Sequence, residues 1–242
     1  AAPTGWNINE NCGSTHLDDL IAQVKATGAD IGIAHDGDAD RCILIAANGE
    51  VIDGDYILNI LANDWLSLGK LAKNTVVGTV MSNLGFIKSM ESIGVGIEKT
   101  AVGDRYVLEC MLENSYNLGG EQSGHVIMRD FSNTGDGLLT ALQVMQIMVK
   151  THKTLINLSS NMQKYPQVLI NVKDVEKDKL TANQVIQEAI INAEKELAGI
   201  GRVLIRASGT ESLVRVMVEA NELQTAQEIA ESLAQLVRLE LK

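Results

Sequence analysis

The sequence predicts an α/β protein in which mixed βαβ domains come first and a small α+β domain, with an antiparallel sheet and two helices, follows. Short apolar stretches alternate with helical stretches of about 10–15 residues through the first two thirds of the chain, which favours a mostly parallel sheet there. The last third changes to paired strands and two long helices. Hydrophobic residues make up 45% and charged residues 21% of the 242 residues, so a disordered chain is excluded.

The first third predicts one helix and a hairpin. Thr15 and Asp18 resemble a capping pair before this helix, and Gly28 is expected to end it. Its apolar residues recur at helical spacing: Leu17, Leu20, Ile21 and Val24. Strands are predicted at 30–34 and 42–46, and the Asn-Gly pair at 48–49 predicts that the second strand forms a hairpin with residues 51–52.

The middle third repeats the alternation of strand and helix. Strands are predicted at 74–80 and 96–100. Helices are predicted at 56–68, 83–92, 106–113 and 136–150. The first of these helices is amphipathic, whereas the last is apolar nearly all round and is expected to be buried.

The last third predicts a sheet covered by two helices. Strands are expected at 165–172, 201–205 and 213–220, and helices at 182–197 and 223–241. Thr225 and Glu228 resemble a capping box for the final helix. The polar residues 157–164 are expected to be a linker.

Charge and cysteine content exclude several classes of protein. The net charge is −11, which argues against nucleic acid or an anionic membrane as a partner. No run of about 18 uncharged apolar residues predicts a membrane span, and the first residues lack the pattern of a signal peptide. Cys12, Cys42 and Cys110 form no CxxC pair, so neither a zinc ribbon nor a disulfide scaffold is expected, and a cytoplasmic setting fits best.

Three carboxylates alternate directly after the strand predicted at 30–34. Asp36, Asp38 and Asp40 would repel one another unless a cation or several N–H donors neutralised them, and Arg41 follows them. All candidate ligands are oxygens, which selects a hard cation such as Mg²⁺, Mn²⁺ or Ca²⁺. An EF-hand is excluded, because its required Gly and Glu positions hold Arg41 and Ala47. The alternative is a solvated acidic loop.

Two further loops carry polar groups suited to a phosphorylated sugar. Gly119, Gly120 and Gly124 surround Glu121, Ser123 and His125, and such a turn can hydrogen-bond sugar hydroxyls, although a plain turn is as good an explanation. Between the strands predicted at 201–205 and 213–220, the chain offers cations, hydroxyls and a glycine that together suit a phosphate: Arg206, Ser208, Gly209, Thr210 and Arg215. A hairpin with two exposed arginines is the alternative for this segment.

Together, and in this order, the three loops resemble those of the α-D-phosphohexomutase superfamily. The likeness extends over the whole chain and is greatest with the branch that acts on glucosamine phosphates. It is supported by local matches at 7–13, 78–83, 102–107 and 131–137. Ala39 replaces the glycine that is usual in the metal loop of this superfamily, and Ala207 and Ser212 stand where proline is frequent. An alanine at position 39 does not easily adopt a positive φ.

The resemblance implies an activity and roles for these residues. The expected reaction interconverts glucosamine 6-phosphate and glucosamine 1-phosphate through a phosphoserine and a bisphosphate intermediate. It implies Mg²⁺ on Asp36, Asp38 and Asp40, with Arg41 beside the reacting phosphoryl group. It implies that sugar hydroxyls meet Glu121 and Ser123 with His125 nearby, and that the other phosphate meets Arg206, Ser208, Gly209, Thr210 and Arg215.

The resemblance also implies a domain arrangement. Residues 1–51 would be the end of the second domain, 52–160 the third and 161–242 the fourth. No Ser-His pair, which would carry the phosphoserine, occurs in the sequence. The chain is therefore expected to be a C-terminal fragment whose partners are a hexosamine phosphate and the missing N-terminal domains. A homodimer is left open.

Three alternatives remain. A phosphomannomutase or phosphoglucomutase would use the same loops. A Mg²⁺-dependent phosphatase would use Asp36 as its nucleophile, but no second-motif hydroxyl or distal lysine is evident. A fragment that binds sugar phosphate or metal without turnover is the third, and for this chain alone it is favoured over catalysis.

Overall fold

The protein divides into two units, residues 1–163 and 164–242, in a computed structural model that describes residues 4–208 and 211–242. The first unit contains, in chain order, α1 (Asp18–Thr27), β1 (Ile31–Ala34), β2 (Ile43–Ala46), β3 (Val51–Ile52), α2 (Gly54–Ser67), β4 (Thr75–Thr79), α3 (Leu84–Ser92), β5 (Gly96–Thr100), α4 (Asp104–Asn114), β6 (Leu118–Gly120), β7 (Val126–Met128), α5 (Gly137–Thr151) and α6 (Leu155–Ser159). The second contains β8 (Gln167–Lys173), α7 (Gln184–Glu196), β9 (Gly201–Ala207), β10 (Leu213–Ala220) and α8 (Leu223–Glu240). The predicted fold class is confirmed.

A three-stranded sheet carries the segment with the three carboxylates. Its strands run in the order β1-β2-β3 and are antiparallel throughout. The predicted hairpin is confirmed: Gly49, with φ +89°, donates its N–H to the carbonyl of Ala46. The prediction of a mostly parallel sheet is wrong here, because short connections join β1 to β2 and β2 to β3, whereas a parallel pair needs a long crossover.

A second sheet, with the order β5-β4-β6-β7, forms the centre of the first unit. β4 pairs in parallel with β5 and with β6, and helices α3 and α4 provide the crossovers. β6 and β7 are antiparallel because only residues 121–125 connect them. This turn is the segment predicted to bind sugar.

The burial of helices α2 and α5 differs from the prediction, which expects the first to be amphipathic and the second to be buried. α2 is not amphipathic at its start, since every residue from Gly54 to Ala62 is buried. α5 is not buried all round. It buries Ala141, Val144 and Ile147, three residues apart, and leaves an apolar face exposed: Leu138, Leu142, Met145 and Val149. Apolar composition alone does not tell a buried helix from one with a covered and an exposed apolar face.

Two predicted caps are wrong, although Gly28 ends α1 in the left-handed conformation as expected. Helix α1 begins after Leu17, and the hydroxyl of Thr15 lies 3.1 Å from Nδ1 of His16. Helix α8 begins after Glu222, so Thr225 lies inside it and caps nothing.

The second unit is the predicted antiparallel sheet with two helices. Its strands run in the order β8-β10-β9, and α7 and α8 pack against them. The expected linker at 157–164 is wrong in its first part. Helix α6 occupies residues 155–159, and Met162 is buried in the core of the first unit. No helix in the described ranges is both long and apolar enough to cross a bilayer.

Burial of Cys42 predicts a pH dependence of stability. Desolvation raises the pKa of its thiol from 9.0 to about 12. Above about pH 9 the unfolded chain loses this proton while the native chain keeps it. The free energy of unfolding should therefore fall between about pH 9 and 12, by up to about 1.4 kcal/mol per pH unit.

Cys42→Ala should remove this contribution from the pH dependence. Urea unfolding at pH values from about 8 to 10, followed by the fluorescence of buried Trp65, measures it. Cys12→Ala, at an exposed thiol, is the control and should keep the wild-type slope. A Cys42→Ala protein with an unchanged slope would contradict the prediction.

Candidate functional site

The three carboxylates converge in the connection between β1 and β2. Asp36, Asp38 and Asp40 each place one carboxylate oxygen within 4.8 Å of the others. Asp36 and Asp40 are partly buried and Asp38 is exposed. One face of the cluster is therefore open to a ligand. The structure thus brings together the three residues that the sequence singles out.

The surroundings of this cluster suit a hard cation. Asp36 accepts the backbone N–H of Arg41 at 3.2 Å, and its Oδ2 lies 3.5 Å from the Arg41 Nε. Asp40 Oδ1 is buried and has no hydrogen-bond partner within the described ranges. A buried carboxylate oxygen without a donor is costly, and a divalent cation would satisfy it. The donor set is all oxygen, which fits Mg²⁺.

Hydrogen bonds and close backbone contacts hold the loop between β1 and β2 in place. Nδ1 of His35 lies 2.9 Å from the carbonyl oxygen of Arg41. Gly137, at the start of α5, donates its N–H to the carbonyl of Ala39 at 2.9 Å. A Cβ on Gly137 would lie 2.3 Å from the Arg41 carbonyl oxygen, and one on Gly135 would lie 2.8 Å from that of Asp40. These two glycines allow the connection between β7 and α5 to contact the loop.

The turn between β6 and β7 is held against both the loop and helix α2. Gly124, with φ +95°, accepts the N–H of Cys42 at 3.0 Å. Gly54, the first residue of α2, donates its N–H to the carbonyl of Gln122 at 3.0 Å. A Cβ on Gly54 would lie 2.0 Å from the Glu121 carbonyl oxygen. Sequence reasoning missed Gly54, and its place directly after Asp53, a residue type that favours helix N-caps and caps α2 in the structure, was the signal available for it.

His125 joins this turn to the loop that carries the three carboxylates. It is 4% exposed, and its Nδ1 lies 2.8 Å from Asp40 Oδ2. Its Nε2 accepts the N–H of Gly135 at 3.2 Å, which leaves the ring hydrogen on Nδ1, facing Asp40. Both ring nitrogens therefore have protein partners. Nothing in the sequence signals this contact, because 85 residues separate its two members.

Glu121 and Ser123 lie in the same turn. Glu121 accepts the N–H of Gly103 with Oε1 at 3.0 Å. Its Oε2 makes no hydrogen bond to any residue that the structure describes. Ser123 is exposed. The turn therefore presents a carboxylate oxygen and a hydroxyl, and their contact with sugar stays a prediction.

The second unit places two arginines side by side. Arg206 on β9 and Arg215 on β10 are direct cross-strand partners. Neither Nε has a hydrogen-bond partner within the described ranges, although both atoms are buried. Desolvation, and then the charge of Arg215, lower the pKa of Arg206. Adjacent like charges destabilise a hairpin unless an anion bridges them.

The segment between these strands contains the remaining predicted phosphate ligands. Ser208 is 3% exposed, and its Oγ accepts the N–H of Glu211 at 3.2 Å. The carboxylate of Glu211 lies 3.2 Å from Nη2 of Arg215. Gly209 and Thr210 lie outside the described residues. Two arginines and a buried hydroxyl group thus share one end of the hairpin.

Sequence profiles of known domains match almost the whole chain. The profile described as phosphoglucomutase/phosphomannomutase, alpha/beta/alpha domain II, matches residues 7–49. The profile of alpha/beta/alpha domain III matches residues 53–165, and that of the C-terminal domain matches residues 169–236.

Curated relatives are about half identical to the chain. Phosphoglucosamine mutase of Brevibacillus brevis is 51% identical over 241 residues, which are 100% of this chain and 54% of the relative. Phosphoglucosamine mutase of Streptomyces griseus subsp. griseus is 54% identical over 238 residues, 98% of this chain and 53% of the relative. The chain therefore spans about half the length of the curated relatives it matches.

Solved structures share the fold. The N-acetylphosphoglucosamine mutase of Aspergillus fumigatus, in complex with GlcNAc-6P and magnesium, matches with a TM-score of 0.76 and 20% identity, over 96% of this chain and 53% of that one. An N-acetylglucosamine-phosphate mutase of the α-D-phosphohexomutase superfamily, in its substrate complex, matches with a TM-score of 0.76 and 20% identity, over 95% and 53%.

The backbone conformation of Ala39 predicts strain in the loop that carries the three carboxylates. Its φ is +59°, in the positive range that alanine does not easily adopt. A left-handed conformation costs a residue with a Cβ about 1 kcal/mol. Ala39→Gly should therefore raise the free energy of unfolding by about 0.5–1 kcal/mol. Urea unfolding in metal-free buffer measures the change.

Ala101→Gly is the matched control, because Ala101 is exposed and has no positive φ. This variant should lose about 0.5–1 kcal/mol through the greater freedom of the unfolded chain. The interpretation of strain at position 39 is wrong if the two variants lose stability alike.

Proposed function

This chain belongs to the phosphoglucomutase/phosphomannomutase family, and from that premise we propose that the whole protein interconverts glucosamine 6-phosphate and glucosamine 1-phosphate. The family resemblance inferred from the sequence is confirmed. The observation that carries the proposal is the cluster of Asp36, Asp38 and Asp40, whose oxygens lie within 4.8 Å of one another. The names of the relatives at about half identity support the substrate.

We propose that the three aspartates hold Mg²⁺. The buried Asp40 Oδ1, which lacks a hydrogen-bond donor in the described ranges, and the all-oxygen donor set support this assignment. When bound, Mg²⁺ neutralises negative charge on a phosphoryl group in transfer. Arg41 lies against Asp36 and is half exposed, so its guanidinium can meet the same phosphoryl group. His125 orients Asp40 through the 2.8 Å contact.

The turn between β6 and β7 supplies the proposed sugar contacts. The Glu121 Oε2 would accept a sugar hydroxyl, while its Oε1 is held by Gly103. Ser123 would donate or accept a second hydrogen bond. His125 stays among the proposed site residues, and its burial and its two protein partners support a role in placing the turn beside the metal loop.

The hairpin of the second unit is the proposed binding site, or phosphate grip, for the phosphate group that does not react. Arg206 and Arg215 would donate charge-assisted hydrogen bonds to a phosphate dianion, which also relieves their mutual repulsion. Ser208, Gly209 and Thr210 complete the proposed ligand set. Binding at a phosphate that does not react contributes positioning energy to the reaction.

The domain assignment and the covalent step also remain proposals. We assign 1–51, 52–160 and 161–242 to the second, third and fourth domains of a phosphohexomutase. The nucleophilic serine would come from the part of the whole protein that corresponds to the other half of the relatives. Three free cysteines, Cys12, Cys42 and Cys110, support a reducing, cytoplasmic setting.

The assay of the whole protein tests the proposed substrate. Its kcat/KM should be highest with glucosamine phosphate among the glucosamine, glucose and mannose phosphates. Equal or higher values with the other two would favour the phosphoglucomutase or phosphomannomutase alternative. The 242-residue chain alone should show no turnover, because it offers no candidate phosphoserine.

Metal binding by this chain tests the site assignment separately. Asp38→Asn should weaken Mn²⁺ binding, measured by calorimetry, at least about tenfold, because it removes one of three charged ligands. Wild-type affinity itself should be weak without a phosphoryl oxygen to complete the coordination. Asp178→Asn, an exposed acid of the second unit, is the control and should bind Mn²⁺ like the wild type. Equal affinity for both variants would place the metal elsewhere.

A further inference from the structure

Lys177 contacts the phosphate-binding segment from a different part of the chain. It begins the single helical turn Lys177–Lys179 that follows β8, and it is 31 residues from Ser208 in sequence. Its Nζ donates to the carbonyl of Ser208 at 2.7 Å and to the carbonyl of Glu211 at 3.0 Å. One ammonium group therefore binds the backbone on both sides of residues 209 and 210.

The same two positions are held by further hydrogen bonds. Ser208 donates its N–H to the carbonyl of Leu213 at 2.9 Å, and Glu211 donates its N–H to Ser208 Oγ at 3.2 Å. With the two bonds from Lys177, both the N–H and the carbonyl of Ser208 and of Glu211 are occupied. The ends of the segment therefore have a defined conformation, and the ammonium group supplies half of these bonds.

The backbone around Lys177 is anchored as well. Glu176 donates its N–H to the carbonyl of Leu241 at 2.8 Å, and Leu180 is buried in the core of the second unit. A lysine side chain loses conformational entropy when it is fixed, so its two hydrogen bonds must outweigh that loss. Lys177 is partly buried, and no carboxylate pairs with it in the described ranges. Its charge is therefore added to those of Arg206 and Arg215.

We propose that Lys177 is a positioning residue for phosphate. It holds Ser208 and Glu211 by their carbonyl groups, at the end of the hairpin that carries Arg206 and Arg215. It also contributes positive potential to the site. This inference rests on the proposed role of the hairpin as a phosphate grip.

Calorimetric titration of the full 242-residue chain with inorganic phosphate and with glucosamine 6-phosphate, at low ionic strength, tests the proposal. Lys177→Met keeps the length of the side chain and removes the ammonium group, and we expect it to weaken both ligands about tenfold. Lys177→Arg should restore most of the affinity, since its N–H groups reach the same carbonyls. Lys179→Met is the matched control from the same turn, where Lys179 is exposed and pairs with Glu176, and it should bind like the wild type.

Two readouts separate positioning from a merely structural role. The affinity of Lys177→Met should fall less steeply with added salt than that of the wild type, because one cation is lost from the site. Hydrogen exchange in the peptide that spans residues 206–213 should be faster in Lys177→Met and slowed less by phosphate. Arg206→Ala, which removes a direct donor, is the positive control and should weaken binding by at least about tenfold.

The outcomes distinguish this inference from the proposed function. If the wild-type chain binds neither ligand, the phosphate grip fails, and the role of Lys177 fails with it. If Arg206→Ala weakens binding and Lys177→Met does not, only the role of Lys177 is overturned. If Lys177→Met does not fold, Lys177→Arg and Lys177→Gln decide: we expect near wild-type affinity for the first and weak binding for the second. Equal, wild-type affinity in both would overturn the proposal.

Discussion

The hydrogen bond between His125 and Asp40 is the contact on which the site of the first unit depends. It joins Asp40, the third carboxylate of the loop between β1 and β2, to the last residue of the turn between β6 and β7, at 2.8 Å. Because Gly135 donates to the other ring nitrogen, the connection between β7 and α5 is tied to the same histidine. The one imidazole ring therefore joins three segments of the chain. A hydrogen bond to a carboxylate is stronger than one between neutral groups, and this one is partly shielded from water because the histidine side chain is buried.

This contact requires three backbone segments to approach more closely than side chains allow. Gly124 lies against the backbone of Cys42, where a Cβ would be 2.4 Å from the carbonyl oxygen. Gly135 lies against the ring of His125, where a Cβ would be 2.5 Å from Nε2. Gly54 allows the first turn of α2 to contact Glu121 in the turn between β6 and β7. Of these three glycines, sequence reasoning noted Gly124 as part of a glycine-rich turn, and the steric reason for all three appears only in the folded structure.

The elements that sequence reasoning predicted correctly are those that local chemistry determines. The Asn-Gly turn at 48–49, the stop at Gly28 and the alternating carboxylates each depend on residues within a few positions. Apart from the two helix caps, the wrong predictions depend on distant neighbours. Helix α2 is buried from Gly54 to Ala62 because α3, α5, α6 and the sheet pack against it, which its own amphipathic pattern does not show. The partners of His125 and the carbonyl contacts of Lys177 lie too far along the chain for any spacing rule to find them.

Each unit contains a cluster of like charges, negative in the first unit and positive in the second. Asp36, Asp38 and Asp40 place carboxylate oxygens within 4.8 Å of one another, and the Arg41 Nε lies 3.5 Å from Asp36 and 4.0 Å from Asp40. Arg206 and Arg215 are cross-strand partners that repel each other, and the Glu211 carboxylate, 3.2 Å from Arg215, offsets part of this repulsion. In a chain of net charge −11, such a cationic cluster is not produced by the average composition. Under the proposed function, a magnesium ion at the first cluster and a phosphate group at the second would supply the complementary charges.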